Sequence, residues 1–234
     1  MKPKIKTNHN IPIKPAQHAE QQLVVSILDG EYPVGSQLPG ERELSARLGV
    51  TRPTLREALQ RLARDGWVTI RQGKPTIVND YWNQGGMGIL HAMVRFPEFL
   101  PFRFVTHLLE ARVVLLPACA DRAVSARHEE FLKFLQAGKN LSHNAETFAD
   151  YDWRLQHMMV KNSGNMVYSL IFNDFAPVFE LLGVRYFGLE QGRRASKRYY
   201  SRLLKTIEKG KSVERVVRQA MEESIKIWET FQQD

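Results

Sequence analysis

Two arginines one helical turn apart, Arg52 and Arg56, put forked guanidinium donors on one face of an amphipathic segment that opens with Thr51, a residue suited to capping a helix. Such a pair can donate to the O6 and N7 edges of guanine in a major groove. Arg42 could reach a base edge or a phosphate, while Thr51 and Thr54 could donate to phosphate oxygens beside the helix N-terminus. Further on, Gln72, Gly73 and Lys74 place a cation on a tight turn, a shape able to approach a minor groove. From Arg42 to Lys74 eight Arg and Lys stand against Glu43, Glu57 and Asp65. A solvated helix face could carry the same arginines; the ordered run of cap, glycine turn, arginine pair and basic hairpin favours a nucleic-acid partner.

The elements needed to position these groups are legible from periodicity. Leu23, Val24, Ile27 and Leu28 predict a helix over 16–28, and Gly30, Pro33 and Gly35 then break the pattern. A second helix is expected over 41–48, with Glu41 and Glu43 in its acidic first turn, followed by Gly49 as the turn. Leu55, Leu59 and Leu62 form the stripe of a third helix over 52–65, with Pro53 tolerated in its first turn and Gly66 as its stop. Strand character over 67–71, a turn at 72–75 and a return over 76–78 make a wing. Residues 16–79 are therefore expected to form a winged helix-turn-helix domain.

Residues 1–15, with Lys2, Lys4, Lys6 and Lys14 and no apolar period, are expected to be a flexible basic arm. The Asn-, Gln- and Gly-rich stretch 80–90 reads as a linker. Beyond it, over 91–234, only helical periods occur, at about 101–126, 128–138, 145–162, 165–187, 192–209 and 213–232, with Pro117 and Pro177 expected to kink or split two of them. The fold class is thus mainly α: an N-terminal winged helix-turn-helix with a small β-hairpin, and a C-terminal all-α helical bundle.

Composition narrows the function. A hydrophobic content of 43% supports folded cores in a 234-residue chain, and a net charge of +8 favours a polyanionic partner. No run approaches the length of a membrane span, and Met-Lys-Pro-Lys-Ile-Lys lacks the apolar core of a signal peptide, so a cytoplasmic protein without a membrane partner is expected. The single cysteine, Cys119, excludes a disulfide within the chain and reads as a small core residue. No HExxH, P-loop or GxSxG motif is present, and Gly85-Gly86-Met87-Gly88 lacks the flanking strand and helix of a dinucleotide fingerprint, so no enzyme is expected.

In the helical region two polar residues interrupt apolar faces. Arg112 has Leu108, Leu109, Leu115 and Leu116 around it at helical spacing, and a guanidinium emerging there needs an anionic partner, either a structural carboxylate or a ligand phosphate. Ser224 breaks the stripe Val217, Ala220, Ile227, Trp228 and Phe231 beside Glu223; it could bond back to the carbonyl four residues earlier or face a ligand. Ten Arg and Lys between Arg193 and Arg218 oppose only Glu208 and Glu214, which suits a phosphate-bearing ligand or a solvated face.

Leu-Pro-Gly-Glu-Arg-Glu-Leu-Ser from residue 38 and Leu-Gly-Val-Thr-Arg-Pro-Thr-Leu-Arg-Glu-Ala-Leu-Gln-Arg-Leu from residue 48 resemble the N-terminal domain of the GntR superfamily of bacterial repressors. The wing, Gln-Gly-Lys-Pro-Thr after Leu-Ala-Arg-Asp-Gly-Trp-Val-Thr-Ile, is similar to the FadR-type branch of that superfamily, as are Asn-Ser-Gly-Asn at 162–165 and Glu-Ser-x-x-Ile-Trp at 223–228. The resemblance implies DNA contacts from Arg42, Thr51, Arg52, Thr54, Arg56, Gln72, Gly73 and Lys74, binding to a palindromic double-stranded operator as a homodimer, and no cofactor. It also implies long-chain acyl-CoA as effector ligand, with Arg112, Glu223, Ser224 and Trp228 at its pocket, and release from the operator when it binds. Gln72 stands where the best-known members carry histidine, Pro53 where they carry threonine, and Met221 where relatives carry glycine.

Two rivals stay open. One is a relative of the same superfamily whose bundle senses another small carboxylate or organic acid on a divalent metal; those proteins carry Asp with His four residues on, whereas here Asp152 is followed by Gln156, and Ser201 and Glu222 occupy the later ligand positions. No metal is expected on that donor set. The other is a DNA binder with no effector at all.

Overall fold

A computed structural model of the chain describes residues 14–101 and 103–233. It divides into two compact units, one ending at Phe99 and the other beginning at Leu100. The expected basic arm, with Lys2, Lys4 and Lys6, lies outside the described residues, except that Lys14 caps the first helix and Pro15 is its first residue.

In the first unit α1 (Pro15–Leu28) packs against α3 (Arg52–Asp65), and α2 (Glu41–Arg47) packs across α3. Leu23, Val24, Leu44, Leu55, Leu59 and Leu62 meet between the three helices, each almost wholly buried. Local chemistry fixes the ends of α3. The Thr51 hydroxyl accepts from the Thr54 backbone N–H at 3.3 Å, Pro53 occupies the first turn, and Gly66 closes the helix at φ 94°. Between α2 and α3, Gly49 turns at φ 65°.

The wing is a two-stranded antiparallel sheet, β1 (Val68–Thr69) and β2 (Ile77–Val78), in register Val68↔Val78 and Thr69↔Ile77. A bridge from Gln37 to Ile77 and a bond from the Leu38 amide to the Thr76 carbonyl at 2.8 Å anchor it to the chain before α2. Trp67, buried at its root, meets the Tyr81 ring at 4.9 Å between centroids.

The segment expected as a linker is instead folded into this unit, as α4 (Tyr81–Gln84) and α5 (Met87–Arg95), followed by a 3-10 turn, Pro97–Phe99. Two of its glycines, Gly85 and Gly88, serve close packing. A Cβ on Gly66 would lie 2.8 Å from the Gly85 Cα, one on Gly85 would lie 2.4 Å from the Ile89 side chain and the Tyr81 carbonyl, and one on Gly88 would lie 2.8 Å from the Asp65 side chain. The end of α3 therefore nests into a notch that only bare backbone leaves open. A helix does follow the glycine run, but α4 rather than a strand precedes it.

The second unit is all helical: α6 (Phe104–Ala126), α7 (His128–Ala137), α8 (Ala145–Lys161), α9 (Met166–Asp174), α10 (Ala176–Gly188), α11 (Glu190–Glu208) and α12 (Glu214–Gln233), with a 3-10 turn at Gly138–Asn140. Helix α6 packs along α12 and α8, α8 along α10, and α11 against α12 and α7. The core is aromatic and aliphatic, with Phe131, Phe148, Leu155, Phe187, Leu203 and Val217 fully buried. Cys119 is buried in it.

The two prolines behave differently. At Pro177 the single helix expected over 165–187 is divided, with Pro177 in the first turn of α10 and α9 bent from α10 by 60°. At Pro117 helix α6 continues. Proline has no N–H for the carbonyl four residues back, and the Val113 carbonyl accepts a long 3.5 Å contact from Arg218 Nη1 on α12 instead. Among the described residues no single helix is long and apolar enough to cross a membrane; α9 and α10 reach that length and composition only as the bent pair.

Candidate functional site

In the N-terminal unit the sequence-predicted cations Arg42, Arg52, Arg56 and Lys74 are all exposed. Arg52 opens α3, and its side chain makes no hydrogen bond or ion pair among the described residues. Arg42, in the first turn of α2, and Lys74, beside Gly73 at φ 70° in the wing turn, are likewise exposed. The backbone bond from Lys74 N–H to the Arg71 carbonyl at 3.1 Å closes that turn. Thr51 and Thr54 hydroxyls lie 2.8 Å apart, so the cap and the would-be phosphate donors are one pair. Arg56 differs from its neighbours: its Nε donates to Glu41 Oε2 at 2.8 Å, with both side chains well exposed.

In the helical unit all four sequence-predicted pocket residues, Arg112, Glu223, Ser224 and Trp228, line one cavity of about 100 Å³. Its remaining wall is largely apolar and comes from α6, α8, α9, α10, α11 and α12. Arg112 is partly exposed as a residue, but its Nε has no solvent contact; Nη2 donates to the Ser224 hydroxyl at 2.7 Å, and that hydroxyl donates to the Met221 carbonyl at 2.6 Å. The backbone bond considered for Ser224 is thus present, three residues back rather than four, and the same hydroxyl oxygen serves Arg112. Burial lowers the pKa of Arg112, opposed by the charge of Asp152.

Asp152 is the second buried charge. It accepts from the Tyr200 hydroxyl at 2.8 Å and from Gln156 Nε2, and burial raises its pKa while Arg112 pulls it down. Neither oxygen lies within ion-pairing distance of Arg112, so the structural-carboxylate partner considered for that arginine acts only across space. At the cavity margin Glu223 is held by Arg198 Nη2 at 2.6 Å, on two partly exposed side chains.

Among the described residues five buried side-chain polar atoms lack a hydrogen-bond partner, and four of them, Arg112 Nε, Gln156 Oε1, Tyr199 Oη and Trp228 Nε1, belong to residues lining this cavity. An unsatisfied buried polar group costs roughly 1–3 kcal/mol. Four at one place mark hydrogen-bonding capacity that the described residues themselves leave unused.

Comparison with known proteins assigns the two units. A family model described as bacterial regulatory proteins, gntR family, matches residues 15–78, and one described as FadR C-terminal domain matches residues 79–234. The chain belongs to the GntR family, with a FadR-type C-terminal domain. A fatty acid metabolism regulator protein of Shewanella pealeana is 41% identical over 81% of this chain and 79% of its own length, and one of Klebsiella pneumoniae is 36% identical over 93% and 92%. Among solved structures, Lar, which controls the expression of the Listeria monocytogenes agr system, aligns at TM-score 0.57 and 18% identity over 98% of both chains, a likeness of fold alone.

This GntR-family protein is accordingly a DNA-binding transcriptional regulator and not an enzyme. Among its described residues no group of three or more His, Cys, Asp or Glu is placed to hold a metal ion. Asp152 and Gln156, weighed from the sequence as metal ligands, are hydrogen-bonded to each other here. Sequence reasoning weighed those two residues only as metal ligands and overlooked Tyr199 and Tyr200. The overlooked signal was two polar residues four apart within the apolar face of Phe148, Leu155 and Met159.

Proposed function

We propose that this regulator controls genes of fatty acid metabolism, binding a palindromic operator as a homodimer and leaving it when long-chain acyl-CoA occupies the cavity of the helical unit. The names of its relatives support the metabolic assignment. The effector reading rests on one observation: a buried guanidinium held by a neutral serine in an apolar cavity with four polar atoms left unpartnered. An acyl chain suits the apolar wall, a thioester or phosphate oxygen suits Arg112 and Trp228, and the cations of α11 and α12 suit the phosphates of CoA.

The cavity is small beside the roughly 300–1,000 Å³ of pockets that enclose their ligands. An acyl chain must therefore part the helices around it, and a ligand that binds one arrangement better shifts the equilibrium toward that arrangement. If that arrangement misplaces the two winged units for adjacent half-sites, DNA affinity falls, and DNA weakens acyl-CoA binding by the same factor. A homodimer suits a short recognition helix, which alone reads too few bases. On this reading the protein works in the cytoplasm, with DNA and acyl-CoA as partners, no membrane partner and no cofactor.

The test is titration of operator-bound protein with acyl-CoAs of graded length. Release that strengthens with chain length supports the reading; unchanged operator affinity at saturating long-chain acyl-CoA removes the effector assignment and leaves the DNA-binding one.

A further inference from the structure

The contact between Arg56 and Glu41 has little to offer the fold. Both side chains are exposed, 64% and 41%, and an ion pair in that setting contributes roughly 0–1 kcal/mol at most. Its geometry is selective, however. Glu41 Oε2 takes the Nε–H at 2.8 Å. A guanidinium is a flat plate with five N–H donors; with the Nε corner held, the plate is fixed in orientation and its two terminal nitrogens remain as a parallel fork. That end-on fork is the pattern that matches guanine O6 and N7.

Arg56 sits one turn into α3, and Glu41 is the first residue of α2, which α3 packs against, so rigid elements carry both ends of the contact. Among the described residues, neither Arg42 nor Arg52 has an acidic partner. The exposed cationic face therefore keeps one of its three arginines oriented before any DNA arrives. An ordered side chain loses less entropy on binding than a free one, and a fork aimed in advance discriminates between bases more sharply than a mobile charge.

The geometry points to Glu41 as a specificity-positioning residue: it holds the Arg56 plate so that the terminal nitrogens read one guanine in each half-site, while its negative charge weakens attraction to phosphates in general. This rests on the assignment of the α3 face as the DNA-reading surface and adds a residue that does not itself touch a base.

The experiment is selection from a randomised duplex library with the wild-type dimer, Glu41→Gln, Arg56→Ala and the double variant, followed by affinities on the selected site and its single-base changes. Thermal unfolding of each variant checks the fold; at exposed positions the midpoints should stay together. The expected result is that Arg56→Ala and Glu41→Gln relax preference at the same guanine, each on the order of ten-fold, that the double variant is no worse than Arg56→Ala, and that Glu41→Gln binds scrambled DNA more tightly. Three results overturn the inference. If Arg56→Ala relaxes a base and Glu41→Gln does not, the α3 reading stands and Glu41 has no positioning role. If Glu41→Gln tightens all DNA equally without loss of preference, the carboxylate only competes with phosphates. If Arg56→Ala relaxes no base and only lowers the salt dependence, Arg56 is a phosphate contact and both assignments fall.

Discussion

The Arg112 guanidinium on α6 donates to the Ser224 hydroxyl on α12 at 2.7 Å, so a buried positive charge is held by a neutral partner while the nearest buried carboxylate, Asp152, makes no direct contact with it. A neutral hydroxyl offsets only part of what the guanidinium loses on leaving water. The site therefore retains attraction for an anionic or strongly polar group, and that reserve is what a ligand can use.

Arg112→Met should separate stability from response. Removing a poorly compensated buried charge and filling its space with an apolar chain is expected to hold or raise the melting temperature, while acyl-CoA ceases to release the operator. Unfolding and operator release measured on the same sample check both halves. A loss of more than about 2 kcal/mol of stability would show that Arg112 is chiefly structural.

Asp152 predicts a pH dependence of stability. Its native pKa is raised by burial, so the folded state holds the proton more tightly than the unfolded chain. Its favourable contribution is then complete below the unfolded carboxylate range and is lost as pH rises through the raised native value. Asp152→Asn, which cannot ionise, should melt higher than the wild type at neutral pH, with the difference closing as pH falls toward the ordinary carboxylate range. Gln156 can reverse its amide to accept from the new side-chain N–H through the oxygen now unpartnered. Melting curves across that range decide the matter; a difference of constant size would place the titration elsewhere.

Gly66→Ala should be costlier than Gly73→Ala. Both glycines have positive φ, 94° and 70°, so each substitution meets the left-handed penalty of roughly 1–2 kcal/mol. Only at Gly66 does the added Cβ also strike backbone, 2.8 Å from the Gly85 Cα; at Gly73 nothing lies within 4 Å. Chemical denaturation should rank them in that order, and equal losses would mean that the notch around Gly85 yields readily.

Arg52→Ala and Lys74→Ala should differ in kind. Loss of a forked base contact is expected to cost roughly 1–3 kcal/mol at one position of the operator, whereas loss of a phosphate contact lowers affinity evenly and reduces the salt slope by about one. Affinities at several salt concentrations, on operator and scrambled duplex, separate the two. Equal binding of both duplexes by the wild type would remove the Arg52 assignment altogether.

The winged unit was largely legible because its elements are set by local chemistry: the Leu55, Leu59, Leu62 stripe, the Thr51 cap, and glycines at the turns. The division at Pro177 was legible for the same reason. Gly85 and Gly88 misled because a run that permits flexibility and a run that permits close approach look alike; the surface they receive, Gly66 and Asp65, is distant in sequence. The cavity was half legible. Arg112 and Ser224 betrayed themselves by breaking apolar stripes, but the bond from Tyr200 to Asp152 spans 48 residues, and no period links the two. The same holds for Glu41, whose contact with Arg56 crosses the turn between two helices.

Pro117 gives α6 more than a missing donor. Because the carbonyl left over at Val113 is served by Arg218, the first and last helices of this unit share a notch and a peg, and the notch occurs once along α6. Sliding α12 by a full turn would strand that oxygen, whereas tilting or parting the pair about it would not. The contact thus opposes slippage of α12 along α6 more than it opposes a change in the angle between them.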